Sequence, residues 1–363
     1  MARARLHSFW LATASLLFGA AFAGSAHAAW SHDPISSGLQ ITPNVRSQVI
    51  VPDGPVADGS GGVFVPFMQI NSIGGNDIIV QRLTATGAPA IGWPAGGVTL
   101  VSLSSSRNTA RAVLDGSGGV IVCWIDHRSG TRDEIYAQRL NALGVPQWTS
   151  NGILASSLGT ASKPQYSVCT DAAGGAFVAW RYDLSVADND IFGTHVSSAG
   201  LATVFSVYTP TLIQTNPQIC PDGAGGAYIA FEDNTSGAGV DVKMGHVNAA
   251  NTLTFGPITM DGNAVGDQTQ PTLLYDGASG VYIAWRDARF GPGETDIYVG
   301  HYDITGAPHI GFASDGYPTH LAADSKFTPA IALDATGGVY IFWNELIGVT
   351  TYLPRPMRWS VPG

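Results

Sequence analysis

Polar residues recur at two fixed positions ahead of a repeated aspartate, where their side chains could bind a ligand. Eight residues before the aspartates lie Arg107, Lys163, Gln214, Gln268 and Lys326. Six residues before them lie Thr109, Gln165, Asn216, Gln270 and Thr328. Cationic side chains pair with anionic groups, and amides both donate and accept hydrogen bonds. The pattern predicts a site for a glycan or an acidic ligand; the alternative is that these residues only face water.

This hypothesis makes a direct prediction about the three cations. If Arg107, Lys163 and Lys326 contact a ligand, their replacement by Ala should weaken ligand binding. The melting temperature should then stay unchanged, because residues that serve a ligand are not needed for packing.

Carboxylates near the same loops offer an alternative function, the hydrolysis or eliminative cleavage of a polysaccharide. The acidic residues concerned are Glu134, Asp190, Glu232, Glu294 and Glu345. Paired carboxylates hydrolyse glycosides when they are held about 5 to 9 Å apart. The sequence has no H-E-x-x-H, P-loop, C-x-x-C or G-x-S-x-G motif. Because no catalytic signature interrupts the repeat, we favour a module that binds a glycan or a protein ligand.

Two groups of residues carry side chains that bind metals, and neither is predicted to hold one. Asp188 and Asp190 could supply oxygen ligands to Ca²⁺, but this segment lacks the spacing and glycine of a calcium loop, so a solvated acidic loop is favoured. The residues five positions after a strand-opening acid are Arg82, Arg139, His195, His246 and His301. They lie about one repeat apart and cannot converge on one ion, so hydrogen bonding or packing is expected of them.

An internal repeat must position these residues. The phrase D-G-x-G-G, or a variant, precedes an apolar run that ends in Phe or Trp, and each copy contains four short strand patterns. The second glycine of the copies is Gly62, Gly119, Gly175, Gly226, Gly280 and Gly338. The steps between copies are therefore 57, 56, 51, 54 and 58 residues. This predicts an all-β fold, a six-bladed β-propeller of four-stranded blades, with residues 30–42 closing the ring as the outer strand of the sixth blade.

Residues that recur in the copies are interpreted as scaffold. The aromatic residues that end the apolar runs are Phe67, Trp124, Trp180, Phe231, Trp285 and Trp343. We expect them to pack as wedges between neighbouring sheets. Asp126 with Arg128, and Asp287 with Arg289, follow the aromatic at a fixed spacing. We expect them to hold the next loop through an ion pair and bonds to backbone amides.

The second copy also carries a family resemblance. It reads W-I-D-H-R-S-G at residues 124–130 and E-I-Y-A-Q-R-L at residues 134–140. This pattern resembles repeats of secreted bacterial β-propeller proteins and is weakly similar to the blade motif of TolB-type six-bladed propellers. The resemblance covers residues 30–360 and implies an architecture, with no chemistry attached.

Composition and the first residues indicate a folded, exported protein. The chain has 363 residues, 45% apolar and 12% charged, and its net charge of −10 argues against a nucleic-acid binder. Residues 1–28 combine Arg3 and Arg5, an apolar stretch too short for a bilayer and a small-x-small site, which predicts a signal peptide. Residues 29–363 are predicted to form one domain in the periplasm or outside the cell, with no membrane insertion.

The three cysteines allow at most one disulfide. Cys169 and Cys220 occupy matching places in successive repeats, so a bridge between them is one interpretation. The favoured one is that Cys123, Cys169 and Cys220 are buried, unpaired thiols that pack as small apolar residues.

Overall fold

The computed structural model describes residues 48–50, 54–237, 239–262, 264–278, 280–291, 293–321, 324–334, 338–347 and 351–359. Regular structure in these residues consists of antiparallel strands in six sheets that follow one another along the chain. The chain is therefore an all-β protein, a six-bladed β-propeller, as the repeat predicts.

Blades 1 to 3 occupy the first half of the described chain. Blade 1 contains β1 (Gln48–Ile50), β2 (Val56–Ala57), β3 (Val63–Ile70), β4 (Asn76–Leu83) and β5 (Val98–Val101). Blade 2 contains β6 (Arg107–Leu114), β7 (Val120–Asp126), β8 (Glu134–Leu140) and β9 (Ile153–Leu154). Blade 3 contains β10 (Tyr166–Thr170), β11 (Ala176–Ser185), β12 (Asp188–Val196) and β13 (Ala202–Tyr208).

Blades 4 to 6 complete the fold. Blade 4 contains β14 (Gln214–Pro221), β15 (Ala227–Asp233), β16 (Asp241–Val247) and β17 (Leu253–Thr259). Blade 5 contains β18 (Gln268–Tyr275), β19 (Val281–Asp287), β20 (Asp296–Tyr302) and β21 (Tyr317–Pro318). Blade 6 contains β22 (Lys326–Leu333), β23 (Val339–Ile347) and β24 (Thr351–Trp359). Its predicted fourth strand, residues 30–42, lies outside the described residues.

Apolar clusters join each blade to the next. Five clusters of buried side chains lie between consecutive blades, from blades 1 and 2 to blades 5 and 6. Four contain a wedge aromatic, Trp124, Trp180, Trp285 or Trp343, and Phe231 lies in the cluster of blades 3 and 4. Phe67 is also buried. Because an aromatic ring buries a large apolar area, these contacts supply much of the energy that holds the blades together.

The turn between the first two strands of each blade is closed by its aspartate. Asp115 Oδ1 accepts hydrogen bonds from the backbone N–H groups of Ser117 and Gly119, both at 2.7 Å, while Gly116 and Gly118 have positive φ. Its Oδ2 accepts a bond from Arg139 Nε at 3.0 Å. The same pairing joins Asp58 to Arg82, Asp171 to His195, Asp222 to His246, Asp276 to His301 and Asp334 to Arg358. The hydrogen-bonding role predicted for the third-strand Arg and His residues is thus confirmed.

The cysteines are unpaired. Cys123, Cys169 and Cys220 are all buried, and none forms a disulfide. Burial raises the pKa of Cys123 to about 12 and raises those of the other two thiols. The interpretation as small apolar residues is confirmed, and a disulfide between Cys169 and Cys220 is wrong. Within the described residues, no helix has the length and apolarity needed to cross a bilayer.

Candidate functional site

A layer of paired polar side chains crosses one end of the blades. At this end the first strand begins and the second strand ends, so residues of the two strands lie opposite each other. The cross-strand partners are Gln48 with Gln69, Arg107 with Asp126, Gln214 with Asp233, Gln268 with Asp287 and Lys326 with Glu345. The first strands of successive blades contact each other, so this layer surrounds the propeller axis.

The three cations proposed as ligand contacts lie in this layer but are buried. Arg107 is 1% exposed, and Lys163 and Lys326 are 0% exposed. A side chain with no accessible surface cannot contact a ligand from solvent. The sequence spacing identified the equivalent positions, but the side chains point into the protein, because each lies beside a carboxylate or an aromatic ring there.

Each cation has a different environment. Arg107 Nε donates to Asp126 Oδ2 at 3.0 Å, its Nη1 donates to the backbone oxygens of Asn76, Leu103 and Ser105, and its Nη2 donates to Ser105 Oγ at 2.9 Å. Lys326 Nζ donates to Asp296 Oδ1 of the preceding blade at 2.7 Å.

Lys163 differs from both because Tyr182 stands where blade 2 has Asp126. Its Nζ lies 5.4 Å from the centroid of the Tyr182 ring and has no hydrogen-bond partner. Burial lowers the pKa of Lys163, and the nearby Glu134 carboxylate partly offsets that effect. The cation is thus held in a sealed space.

The second polar set forms a ring of bulges around the axis, which we call the mouth ring: Thr109, Gln165, Asn216, Gln270 and Thr328. Four of these residues, all except Gln165, have left-handed φ values between 48° and 57°, where the pairing of first and second strands shifts register. Thr109, Gln165, Gln270 and Thr328 are exposed, and Asn216 is half-buried. These residues, unlike the cations, can meet a ligand.

Hydrogen bonds link the mouth ring from blade to blade. Gln165 Oε1 accepts from the backbone N–H of Asn216 at 3.1 Å. Glu232 Oε1 accepts from the backbone N–H of Gln270 at 2.8 Å, and Gln270 Oε1 accepts from that of Thr328 at 2.9 Å. The ring is therefore preorganised, because these bonds hold its side-chain amides in a fixed frame.

The candidate carboxylates belong to five different blades. Glu134 is buried and accepts a bond from Arg132 Nε at 2.9 Å, and Glu232 holds the mouth ring through Thr215, Asn216 and Gln270. Glu294 is exposed in the loop before β20.

The acidic pair considered for Ca²⁺ lies at the start of β12. Asp190 is 6% exposed, and its pKa is raised by burial and by the charge of Asp188. Asp188 Oδ1 accepts a bond from the backbone N–H of Leu212 at 3.3 Å. Ca²⁺ binding at this pair stays the alternative that the sequence disfavoured.

The scaffold pairs are regular in blades 2 and 5. Trp124 Nε1 donates to Asp126 Oδ2 at 2.9 Å, and Arg128 Nη2 donates to the same oxygen at 2.6 Å. The guanidinium carbon Cζ of Arg128 lies 3.5 Å from the centroid of the Tyr136 ring. Asp126 Oδ1 accepts from the backbone N–H of Arg128. In blade 5 the same bonds join Trp285, Asp287 and Arg289. Indole, carboxylate and guanidinium therefore fill the space at the end of the second strand.

Blade 6 departs from this arrangement and opens a cleft. Glu345 replaces the aspartate, and its longer side chain accepts from Arg355 Nε on β24 at 2.6 Å. Trp343 Nε1, which the carboxylate no longer reaches, is buried and has no hydrogen-bond partner. His320 Nδ1 lies 4.0 Å from Glu345 Oε1. The resulting cleft of about 470 Å³, the blade-6 cleft, is lined by Thr319, His320, Asp324, Trp343, Glu345, Arg355, Pro356 and Met357.

The blade-6 cleft combines groups of complementary hydrogen-bonding type. Glu345 and Asp324 accept hydrogen bonds, Arg355 and the Trp343 indole donate them, and His320 can do either. Of these residues the sequence singled out Glu345 as a candidate carboxylate and Trp343 as a packing aromatic, whereas His320, Asp324 and Arg355 were not identified. The signal that could have identified the rest was the substitution of Glu for Asp two residues after the last repeated tryptophan.

Comparisons with known proteins show likeness in structure alone. No protein-family model and no curated protein sequence matches the chain. A structure of a protein of unknown function from Dyadobacter fermentans DSM 18053 is 9% identical, over 86% of this chain and 97% of that one, with a TM-score of 0.48. The endo-arabinase of Bacteroides thetaiotaomicron VPI-5482 is 13% identical, over 67% of this chain and 90% of that one, with a TM-score of 0.35.

A third similar structure is a polysaccharide lyase of family PL25, an ulvan lyase bound to a glucuronic acid and sulfated rhamnose unit. It is 12% identical, over 88% of this chain and 71% of that one, with a TM-score of 0.41. The similarity to TolB propellers has no support among these structures, and likeness at this level identifies no activity for this chain.

Proposed function

We propose that this protein is an exported module that binds an uncharged, hydroxyl-rich glycan in the blade-6 cleft. The observation that carries the proposal is the open cleft in which Glu345, paired with Arg355, lies beside His320 and the Trp343 ring. Sugar hydroxyl groups both donate and accept, so they match a cleft that offers donors and acceptors side by side. A volume of about 470 Å³ lies in the ordinary range for small-ligand sites.

The proposal restricts the ligand class that the sequence suggested from glycans or acidic ligands to uncharged glycans. Acidic ligands were inferred from Arg107, Lys163 and Lys326, and all three are buried. The exposed mouth-ring amides of Gln165 and Gln270 carry no charge and lie at the same end of the blades as the cleft. A glycan that extends from the cleft toward the axis would next meet Thr328 of blade 6 and Gln270 of blade 5, which are joined by a hydrogen bond.

The test is a binding titration against neutral and acidic oligosaccharides, with two arginine variants of β24. Arg355 and Arg358 are matched: their side chains are 46% and 45% exposed, and each pairs with a carboxylate at 2.6 Å. Arg355 lines the cleft, whereas Arg358 pairs with Asp334 at the opposite end of the strand. We expect Arg355→Ala to weaken binding of a neutral glycan by about tenfold or more, and Arg358→Ala to leave it unchanged.

The outcomes separate the alternatives. Equal loss in both variants, or binding that depends on acidic sugars and salt, would contradict a neutral glycan in this cleft. An absence of glycan binding would favour a protein ligand on the propeller face. Circular dichroism of both variants checks that neither change unfolds blade 6.

Cleavage of a polysaccharide is the second candidate function, because Glu345, Asp324 and His320 line one cleft. An acid and a base in one pocket are the minimum for glycoside hydrolysis. Each glycan that binds is therefore incubated with the parent protein and analysed for reducing ends and for unsaturated products. We expect intact glycan; products that vanish in Glu345→Gln would establish the enzyme.

Export is part of the proposal. Residues 1–28 carry the signal-peptide pattern and lie outside the described residues. Expression of the whole chain in a bacterium with N-terminal sequencing of the periplasmic fraction is expected to give Ala29 as the first residue. Recovery of the uncleaved chain from the cytoplasm would refute this.

A further inference from the structure

Blade 5 brings three metal-binding side chains together at the end of the strands opposite the blade-6 cleft. Asp276 lies at the turn between β18 and β19, His301 lies on β20, and His309 lies in the connection from β20 to β21. One ligand atom from each lies within 4.8 Å of the others. Asp276 and His301 form the pair that recurs in the blades. His309 is an addition of blade 5, because the equivalent residue of blade 4 is not a histidine.

The equivalent position in blade 4 shows what a purely structural arrangement requires. Thr254 follows His246 by eight residues, as His309 follows His301. His246 Nε2 bonds to Asp222 at 2.9 Å and its Nδ1 bonds to Thr254 Oγ1 at 2.5 Å, so both ring nitrogens have partners. Blade 4 therefore satisfies its buried histidine with a threonine.

Blade 5 leaves two ring nitrogens without partners. His301 Nε2 lies 2.9 Å from Asp276 Oδ2, and the His301 and His309 rings stack with centroids 3.8 Å apart. His301 Nδ1 and His309 Nε2 are buried and make no hydrogen bond. Unsatisfied buried polar atoms destabilise a protein, so the replacement of a satisfying threonine by His309 calls for a ligand.

The donor types suit a metal ion. Imidazole nitrogen and carboxylate oxygen are ordinary metal ligands. Asp276 Oδ1 accepts hydrogen bonds from the backbone N–H groups of Ala278 at 2.7 Å and Gly280 at 3.0 Å, which fix the orientation of this carboxylate.

We propose that Asp276, His301 and His309 form a binding site for Zn²⁺. Two imidazoles and one carboxylate are a donor set used for this ion, and a fourth position stays open to water. Tetrahedral bonds of about 2.0 to 2.1 Å place donors roughly 3.3 Å apart, so the donor atoms move closer by up to about 1.5 Å. The two imidazole rings, stacked with planes 9° apart, must also tilt so that both nitrogen lone pairs point at the ion. The site is independent of the glycan proposal.

Titration of the full chain, without a histidine tag, tests the site. We expect saturable binding of one Zn²⁺ per chain by calorimetry, and visible absorption bands of tetrahedral coordination when Co²⁺ is used instead. Mg²⁺ and Ca²⁺, which prefer oxygen ligands, should not compete.

His309→Thr is the decisive variant because it recreates the residue of blade 4. We expect it to weaken Zn²⁺ binding at least about tenfold, since changes even to the partners of a ligand have that effect. The control is His127→Gln, which removes an exposed histidine that pairs with Asp133 and should leave binding unchanged. Zn²⁺ should also raise the melting temperature of the parent and not of His309→Thr, and metal-free melting of the variant verifies its fold.

Two results would overturn the proposal. The first is the absence of a Zn²⁺ binding signal in the parent protein. The second is binding that is equally strong in His309→Thr, which would assign the ion to other residues.

Discussion

Arg107 provides the clearest test of how the buried polar layer contributes to stability. Its guanidinium is 1% exposed and bonds to Asp126, to Ser105 Oγ and to three backbone oxygens. The substitution Arg107→Met keeps a long apolar side chain and removes every one of these bonds. Three carbonyl groups and one carboxylate then lose a charged donor in a space that water does not reach.

The magnitude follows from the partners that remain. Removal of one member of a buried ion pair typically costs about 3 to 5 kcal/mol. Asp126 keeps its hydrogen bonds from Trp124 and Arg128, which reduces the loss of stability that an unpaired carboxylate would cause. The carbonyl groups that lose their donor increase that loss. We therefore expect Arg107→Met to lower the free energy of unfolding by about 4 kcal/mol. The melting temperature should fall by roughly 8 °C, at about 2 °C per kcal/mol for a large domain.

The assay is urea unfolding followed by tryptophan fluorescence, with Arg132→Met as the control. Arg132 pairs with Glu134, but its side chain is 27% exposed, so its loss should cost less than about 1 kcal/mol. An Arg107→Met protein as stable as the parent would refute the reasoning. If its glycan binding were weakened at the same time, Arg107 would be a ligand contact, as its spacing in the sequence suggested.

Three further predictions concern other side chains. All three cysteines should resist a thiol reagent in the native protein and react after unfolding in urea, because they are buried and the pKa of Cys123 is raised to about 12; a reactive thiol in the native protein would contradict this. Burial and Asp188 raise the pKa of Asp190, so its ionisation in the folded protein costs stability above the unfolded pKa of about 4. Asp190→Asn should therefore stabilise the protein at pH 7, with a gain that disappears as the pH falls below about 4 in urea titrations; a constant gain would argue against a titration effect. Thr254→His should create a second Zn²⁺ site in blade 4 beside His246 and Asp222, measured as two ions per chain, and a stoichiometry of one would show that the three donors are insufficient.

The sequence alone predicted the structural features that are formed by residues of one and the same repeat copy. The pair of Asp115 with Arg139 spans 24 residues inside one copy, so its recurrence along the chain reveals a shared role. The number of blades follows from the same periodicity. Burial of the cysteines was predicted as well, because an unpaired thiol packs as a small apolar residue.

Features that arise between copies could not be predicted in this way. Lys326 bonds to Asp296 of the preceding blade, 30 residues earlier, and this contact depends on how two sheets pack. The sequence also could not reveal the left-handed bulges in the first strands. These bulges give nearby residues of one strand different exposure to solvent. Lys326 is buried and Thr328 is exposed, although both are polar and only two residues apart.

Departures from the repeat locate the sites that this fold offers to ligands. Tyr182 replaces an aspartate in blade 3, His309 replaces a threonine in blade 5, and Glu345 replaces an aspartate in blade 6. Each change leaves a polar atom without a partner: Lys163 Nζ, two imidazole nitrogens and Trp343 Nε1. The exposure of the surrounding residues to solvent then distinguishes the three places. Lys163 is 0% exposed and can be satisfied only by an enclosed water, whereas Asp276 and His309 are half-buried and the blade-6 cleft is open. Of these three departures from the repeat, those in blades 5 and 6 lie next to surface that solvent reaches, and they are the ones to which we assign ligands.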